Sequence, residues 1–141
     1  MKQLKNIKNK LEWEQYYNPD FNWHNSQLYR ENIFSEDFIR EFKNKVEWYY
    51  VSFYQKLSED FICEFKDKIN WRGISSSQKL SEDFIREFQN KVDWMFISEY
   101  QKLSEDFIRE FKDKVNWKYI SYRQTLSESF KEEFKEELRT L

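Results

Sequence analysis

The chain contains a single histidine, His24, and this residue limits the chemistry that the protein could perform. Nucleophilic catalysis pairs a serine or cysteine with a histidine that an acid orients, so any such site would depend on His24 alone. A metal site there would need carboxylate ligands such as Asp20, and nothing in the spacing fixes their geometry. We therefore predict that His24 is a surface residue and that the protein has no catalytic residues and no metal site.

Cysteine and glycine also occur once each, as Cys63 and Gly73. One cysteine cannot form an intramolecular disulfide or a multi-cysteine zinc site, and its isolation favours a reducing compartment. One glycine cannot build the glycine-rich loops that bind nucleotide phosphates. Adjacent Glu-Asp pairs could suggest acid-base catalysis, but they recur along the chain where helix capping accounts for them. These observations predict a protein that is not an enzyme and carries no cofactor.

A 23-residue repeat accounts for most of the sequence. Full copies begin at Phe34, Leu57, Leu80 and Leu103, and a truncated copy begins at Leu126. The full copies read FSEDFIREFKNKVEWYYVSFYQK, LSEDFICEFKDKINWRGISSSQK, LSEDFIREFQNKVDWMFISEYQK and LSEDFIREFKDKVNWKYISYRQT. Self-similarity at a fixed period of this size indicates a repeat architecture, so we predict a tandem array of equivalent structural units.

Each unit contains two signals for the start of a helix. Ser58 is a typical N-cap residue, and Glu59 and Asp60 place negative charge in the first turn of the helix that follows. Asn116 caps the second start, where Trp117 opens a helix. The apolar positions of the first helix fall on one face, with charged residues on the other. Each unit is therefore predicted to form a helix-turn-helix.

The charged side of the first helix is predicted to face solvent. Glu82 and Arg86, and likewise Glu87 and Lys91, stand four residues apart with the acid first, an order that stabilises a helix. Cys63 occupies the position that holds arginine in the other full copies. We expect Cys63 to be an exposed and ordinary thiol.

A single unit buries too little apolar surface to offset the entropy of ordering its backbone, so the units must stack. We predict an all-α fold, an α-solenoid of tandem 23-residue helix-turn-helix repeats with terminal caps. One repeat domain is expected over residues 1–141. In it, residues 1–33 form a degenerate N-terminal unit with an insert, residues 34–125 form four full repeats, and residues 126–141 form a C-terminal capping helix.

Both ends depart from the repeat. Lys131 replaces the isoleucine of the first helix and lies among glutamates, as expected of a capping helix whose outer side meets water. Near the N-terminus the apolar spacing of the repeat recurs at four positions, Leu4, Ile7, Leu11 and Trp13. Trp13 lies 35 residues before Trp48, which is one period plus an insert of about 12 residues. The segment around Asn18 to Asn32 is the least predictable part of the chain.

The second helix has one face that the copies share and one that varies. The shared positions, as at Trp94, Ile97, Ser98 and Gln101, fall on one side of the helix and should pack inside the array. Ser98 and Gln101 should there bond to backbone groups of the adjacent turn, because buried polar groups need partners. The variable positions should face outward. The predicted partner-binding residues are Tyr49, Tyr50, Tyr54, Arg72, Gly73, Met95, Phe96, Tyr100, Lys118, Tyr119 and Tyr122.

The composition of this variable face favours a binding function. Aromatic and arginine side chains are typical of the energetic centres of protein interfaces, so we expect a non-catalytic protein-interaction module. Gly73 and three neighbouring serines leave a gap between aromatic-rich units, which we interpret as a notch for a partner side chain. The identity of the partner protein is not predicted, and self-association into a homo-oligomer stays open.

Two other binding functions are compatible with the sequence. Each unit could offer a ring and a cation to a base of single-stranded nucleic acid. The near balance of 24 basic and 26 acidic residues makes nucleic acid the less favoured partner. Sequestration of a small molecule or nucleotide signal in an aromatic pocket is a further alternative. No stretch approaches 18 uncharged apolar residues, so we expect no membrane partner and a cytoplasmic location.

The repeat also resembles sequences from other proteins. The pattern Trp-x-x-Ile-Ser followed by Gln-Lys-Leu-Ser-Glu-Asp-Phe-Ile, at residues 94–108, resembles short repeats in proteins of large DNA viruses and bacteriophages. The resemblance covers residues 34–138, and most of those proteins have no assigned function. It implies a viral or phage origin and no catalytic residues. A viral or phage factor would act on a host protein in the host cytoplasm, which is how we extend the predicted binding function.

Overall fold

A computed structural model describes residues 2–4 and 16–139 of the chain. Within these residues there are eleven short helices and one pair of three-residue strands. The helices are α1 (Ser26–Glu31), α2 (Glu36–Glu41), α3 (Trp48–Tyr54), α4 (Glu59–Glu64), α5 (Trp71–Ser77), α6 (Glu82–Glu87), α7 (Trp94–Tyr100), α8 (Glu105–Glu110), α9 (Trp117–Arg123), α10 (Glu128–Glu133) and α11 (Lys135–Arg139). The predicted all-α fold of tandem helix-turn-helix repeats, an α-solenoid, is confirmed.

The chain forms two compact units, Met1–Asn70 and Trp71–Leu141, which we call the first and second units. The boundary lies inside the second repeat, between its two helices. Among the described helices, none is long and apolar enough to cross a membrane.

The first helix of each repeat begins at a serine N-cap, as predicted. The Ser58 hydroxyl accepts a hydrogen bond from the Phe61 amide at 3.2 Å, and the same bond recurs at the other caps, Ser35, Ser81, Ser104 and Ser127. Phe61 and Ile62 are fully buried, and Phe65 at the C-cap is 7% exposed. The helix therefore places three apolar side chains in the core within two turns.

The second helix is fixed by its tryptophan and, in the last two full repeats, by a side-chain cap. The Trp94 indole N–H donates to the Gln89 carbonyl at 2.9 Å, and the ring packs against Phe111 with centroids 4.9 Å apart. The Asn116 side chain accepts from the Tyr119 amide at 3.3 Å, which confirms the predicted cap. The tryptophan therefore joins the turn of its own repeat to the first helix of the next one.

In the third full repeat the polar residues of the shared face, Ser98 and Gln101, are buried and hydrogen-bonded. The Ser98 hydroxyl donates to the Trp94 carbonyl at 2.7 Å and accepts from the Asn116 amide at 2.9 Å. The predicted burial of Gln101 is confirmed, since it is 6% exposed. Its side chain bonds to backbone groups, as predicted. Two of these groups lie in the preceding repeat, so this residue links neighbouring repeats.

The carboxamide of Gln101 binds two backbone carbonyls of the preceding repeat and one amide at the start of its own repeat. It accepts from the Leu80 amide at 3.1 Å and donates to the carbonyls of Ser75 and Gln78 at 2.9 and 2.6 Å. Gln124 makes the equivalent bonds one repeat later, to Leu103, Ser98 and Gln101. The fixed period of the sequence thus reflects a fixed set of hydrogen bonds between layers.

The prediction for the N-terminal region is partly wrong. Lys2–Leu4 forms a strand that pairs in parallel with Asn32–Phe34, so Leu4 does not lie in a helix. Ile7, Leu11 and Trp13 lie outside the described residues. The segment treated as an insert contains α1, which occupies the register of a second helix. The repeat therefore extends further toward the N-terminus than the sequence identities show.

Tyr29 explains why this register was missed. It stands one period before Ser52, and its hydroxyl accepts from the Glu47 amide at 2.8 Å, as Ser52 accepts from Asn70. The same hydroxyl donates to the Trp23 carbonyl at 2.9 Å, and the Trp23 ring takes the place of the repeat tryptophan, 5.0 Å from the ring of Phe42. Tyr29 is fully buried, and this burial raises its pKa to about 12.

The predicted i,i+4 pairing of Glu82 with Arg86 is also wrong. Arg86 instead pairs with Asp83 at 2.8 Å and with Glu110 of the next repeat at 2.9 Å, while its guanidinium lies over the Phe107 ring, 5.2 Å from its centroid. The Glu82 carboxylate accepts from the Ser104 amide at 2.7 Å. The charged side chains of the first helices therefore connect successive repeats.

Cys63 and Lys131 also lie on the charged side of the first helices. Cys63, which we expected to be exposed, is half-buried. Lys131 is exposed and pairs with Glu128 at 3.2 Å, while the neighbouring Phe130 is fully buried. Helix α10, the first helix of the truncated repeat, thus keeps the buried face of the repeat and carries a cation on its outer side, as expected of a cap. Helix α11 follows it.

Candidate partner-binding face

The exposed aromatic residues concentrate on the variable side of the second helices. Among the described residues, the exposed large hydrophobic side chains are Tyr17, Tyr49, Tyr54, Tyr100 and Tyr122. All but Tyr17 lie at positions where the repeats differ from one another. The opposite side of these helices carries the buried Val51, Ile74, Ile97 and Ile120. We call the variable side of the second helices the outer face.

In the first unit the outer face is a cluster of rings on α3. Tyr49 packs on Phe53 with centroids 4.7 Å apart, and Tyr50 stacks on Tyr54 at 6.1 Å. Tyr49 and Tyr54 are 52% and 40% exposed, while Tyr50 and Phe53 are half-buried. Phe53 was absent from the predicted site, although its variable position could have indicated it. The helix itself has no charged residue, so this part of the face is aromatic.

One cation from α1 joins this cluster. The Arg30 guanidinium lies over the Tyr54 ring, 5.0 Å from the centroid, and donates to the Tyr54 hydroxyl at 2.9 Å. Arg30 was not predicted because it lies in the segment treated as an insert. The bond holds the exposed Tyr54 side chain in one orientation, which reduces the entropy lost on binding a partner.

In the second unit the outer face combines rings with cations on α5, α7 and α9. The Arg72 guanidinium lies 4.9 Å from the centroid of the Phe96 ring, and Phe96 stacks on Tyr100 at 5.9 Å. Tyr100 is 53% exposed and Tyr122 is 71% exposed. Two further predicted residues, Met95 and Tyr119, are half-buried, and Lys118 is exposed.

The predicted notch at Gly73 is not present. Gly73 is buried, so this position offers no opening to a partner side chain. Its neighbour Arg72 is exposed and covers Phe96. Ser76 bonds to the Gly73 carbonyl at 3.2 Å and is half-buried. Small residues here allow close packing and do not form a recess.

A recess lies instead near the C-terminal ends of α7 and α9. It has a volume of about 330 Å³, and its lining includes Tyr100, Lys102, Arg123 and Thr125. Arg123 also pairs with Glu99 at 3.5 Å. Sequence reasoning did not select this recess, although lysine recurs beside the shared glutamine as Lys56, Lys79 and Lys102.

Charge is segregated between the two helix types of the second unit. The second helices and the loops that follow them, residues 71–80, 94–103 and 117–126, contain five basic residues and one acidic residue. The capped first helices, residues 81–88, 104–111 and 127–134, contain three basic and nine acidic residues. The near-neutral total therefore conceals an excess of basic residues on the second helices and the loops that follow them.

His24 is exposed, and its Nδ1 contacts the carboxylate of Glu47 and not that of Asp20. Both His24 and Glu47 border an open depression that also includes Pro19 and Trp23. In the part of the chain that the structure describes, no group of three or more His, Cys, Asp or Glu side chains could hold a metal ion.

Comparison of the chain with family models, curated proteins and solved structures found no match. The resemblance to viral and phage repeats therefore stays a prediction. The function is inferred from the exposure, packing and charge of the outer face.

Proposed function

We propose that the protein is a non-catalytic interaction module that binds another protein through the outer face of its second helices. The observation that carries this proposal is the placement of exposed tyrosines: Tyr49, Tyr54, Tyr100 and Tyr122 all lie on this face. Tyrosine provides a large contact area with few rotatable bonds, so ordering it at an interface costs little entropy. The short helices hold these rings on a packed scaffold.

The proposed partner is a host protein, and the proposed location is the cytoplasm. The single half-buried Cys63 is compatible with a reducing compartment. The resemblance of the repeat to those of viral and phage proteins supports a viral or phage factor that meets its partner inside the host cell.

Single-stranded nucleic acid is the second candidate partner, because cations lie beside rings in the second unit. Arg72 over Phe96 is the clearest example. However, Phe96 already contacts both the Arg72 guanidinium and the Tyr100 ring, so less of its surface remains for stacking on a base. The protein partner is therefore the better supported of the two.

The proposal is tested by affinity capture from host lysate with the wild-type protein and with Tyr54→Ser, Tyr100→Ser and Tyr122→Ser combined. Tyr17→Ser is the matched control, since Tyr17 is 50% exposed but lies off the outer face. We expect one or more host proteins to be captured by the wild type and by the Tyr17→Ser control but not by the triple variant. Identical captured proteins with all three baits would contradict the proposal. Capture that depends on nuclease-sensitive material and falls steeply with salt would favour nucleic acid.

A further inference from the structure

The cations of the second unit differ in whether they already have an anionic partner. Arg86 and Arg109 on the first helices are bound to Glu110 and Glu133 of the following repeat, each at 2.9 Å. On the second helices and the loops that follow them, by contrast, no ion pair with a described residue is found for Arg72, Lys79, Lys102 and Lys118. The positive charge of these segments is therefore available to a binding partner.

The one acidic residue of these segments does not cancel that charge. The Glu99 side chain is 13% exposed, and it is paired with Arg123 at 3.5 Å. The Arg123 side chain is itself 56% exposed, so solvent and a binding partner can reach it. Its planar fork can bind a second carboxylate in a bidentate manner while the contact with Glu99 persists.

The recess between α7 and α9 collects these features in one place. Lys102 and Arg123 both line it, together with Tyr100, Thr125 and Glu99, whose carboxylate pairs with Arg123. Lysine contributes a mobile ammonium group, arginine a fixed fork, and threonine a hydrogen bond donor, all of which suit a carboxylate. The Tyr100 ring provides an apolar wall for the carbon atoms next to that carboxylate.

We propose that the partner presents an acidic peptide segment to the second unit and that a carboxylate of this segment occupies the recess between Lys102 and Arg123. An apolar residue beside this carboxylate packs on Tyr100. This inference depends on the proposed function and specifies the chemistry of the partner. The second helices of the second unit and the loops that follow them carry five basic residues and one acidic residue, so an acidic segment gains from this wider charge as well.

Peptide binding is measured by fluorescence anisotropy with a short labelled peptide of glutamate and leucine and with its glutamine-leucine counterpart. We expect saturable binding of the glutamate peptide at low salt and affinity lower by about tenfold for the glutamine peptide. Lys102→Gln combined with Arg123→Gln should weaken glutamate peptide binding by about tenfold as well.

Lys112→Gln combined with Lys135→Gln is the matched control. Both lysines are exposed and lie outside the recess, and this pair removes the same net charge. We expect it to bind the glutamate peptide nearly as the wild type does. Equal weakening by the two double variants, or tighter binding of a labelled oligothymidylate than of the peptide, would overturn the proposal. The far-UV circular dichroism of each variant verifies that it is folded.

The capture experiment separates this inference from the proposed function. We expect the Lys102/Arg123 variant to lose the proteins that the tyrosine variant also loses. If the tyrosine variant loses these captured proteins and the Lys102/Arg123 variant retains them, the outer face binds a protein, but the proposal that an acidic segment occupies the recess is refuted. If neither variant loses any captured protein, both proposals are refuted.

Discussion

The shared serine of the second helix shows how one small residue connects two repeats. In the third full repeat the Ser98 hydroxyl donates to the Trp94 carbonyl and accepts from the Asn116 amide, which belongs to the next repeat. In the fourth, the Ser121 hydroxyl donates to the Lys118 carbonyl at 2.7 Å, and no described amide donates to it. The same residue type therefore makes an inter-repeat bond at one position and only a local bond at the other.

Alanine substitutions at these two serines should differ in their effect on stability. Ser98→Ala leaves the Asn116 amide without its acceptor, so we expect the free energy of unfolding to fall by about 1–3 kcal/mol. Ser121→Ala breaks only a local bond on a half-buried residue, and we expect a change within about 0.5 kcal/mol. Urea unfolding followed by circular dichroism measures both values. Equal losses would show that the hydrogen bond from the Asn116 amide to the Ser98 hydroxyl contributes nothing to stability.

In the full repeats, the identical serine was enough to align this position between copies. The same approach failed at Tyr29, where a tyrosine replaces the serine. Tyrosine keeps the hydroxyl that the backbone of the next repeat requires, as its bond to the Glu47 amide shows. It carries that hydroxyl on a ring that also fills buried space beside Phe34 and Tyr50. A search for identical residues cannot detect an equivalent hydrogen bond that a different side chain makes, so the segment that forms α1 was taken for an insert.

The helices themselves were predictable because the signals that begin them are local. A serine followed by two acidic residues satisfies the free amides and the dipole of a helix start within a few residues of the chain. The pairing of charges was not predictable in the same way, since Arg86 and Glu110 lie 24 residues apart and meet only after the repeats stack. On a six-residue helix, the aromatic ring and carboxylate of the next repeat offer Arg86 more contacts than Glu82 does.

In the second unit, Gln101 and Gln124 each connect one layer of second helices to the layer before it. Gln101→Leu would leave the Leu80 amide and the Ser75 and Gln78 carbonyls without their side-chain partner. Because these groups are buried, we expect the free energy of unfolding to fall by about 3 kcal/mol.

Gln124→Leu is the matched comparison for this substitution. Gln124 makes the same three bonds but is half-buried, so water can replace part of what is lost. We expect Gln124→Leu to destabilise the protein by less than Gln101→Leu does, again by urea unfolding. A larger loss at Gln124 would show that burial does not set the strength of these bonds.

At the scale of the whole molecule, variation between repeats indicated which residues form the outer face. It did not indicate which of them are buried or where a recess lies. Positions that differ between copies are not required by the inter-repeat bonds, so their outward placement could be predicted, as at Tyr100 and Tyr122. Whether such a position is open depends on neighbours from other repeats, and so Gly73 proved buried. The recess at Lys102 and Arg123 arises where a loop and two helices meet, which no single-repeat pattern encodes.

The repeated bonds also predict how the array responds to lengthening. Gln124 binds the Leu103 amide and the Ser98 and Gln101 carbonyls, and the equivalent groups one repeat later are those of Leu126, Ser121 and Gln124. Within the described residues, no hydrogen bond is found for the Leu126 amide or for the Ser121 and Gln124 carbonyls. An additional copy of residues 103–125 inserted after Thr125 would supply a glutamine for one more such layer.

We therefore expect this insertion to raise the melting temperature by a few degrees, because in a repeat array each added layer contributes its own nearest-neighbour interface. Circular dichroism should show one unfolding transition and more helical signal per molecule. The control is the same insertion with leucine in place of the glutamine of the added copy, which retains its apolar residues and helix caps. That control should melt below the glutamine version, since the added layer then leaves buried backbone groups unpaired. A separate low-temperature transition for the glutamine version would show that the added layer does not couple to the array.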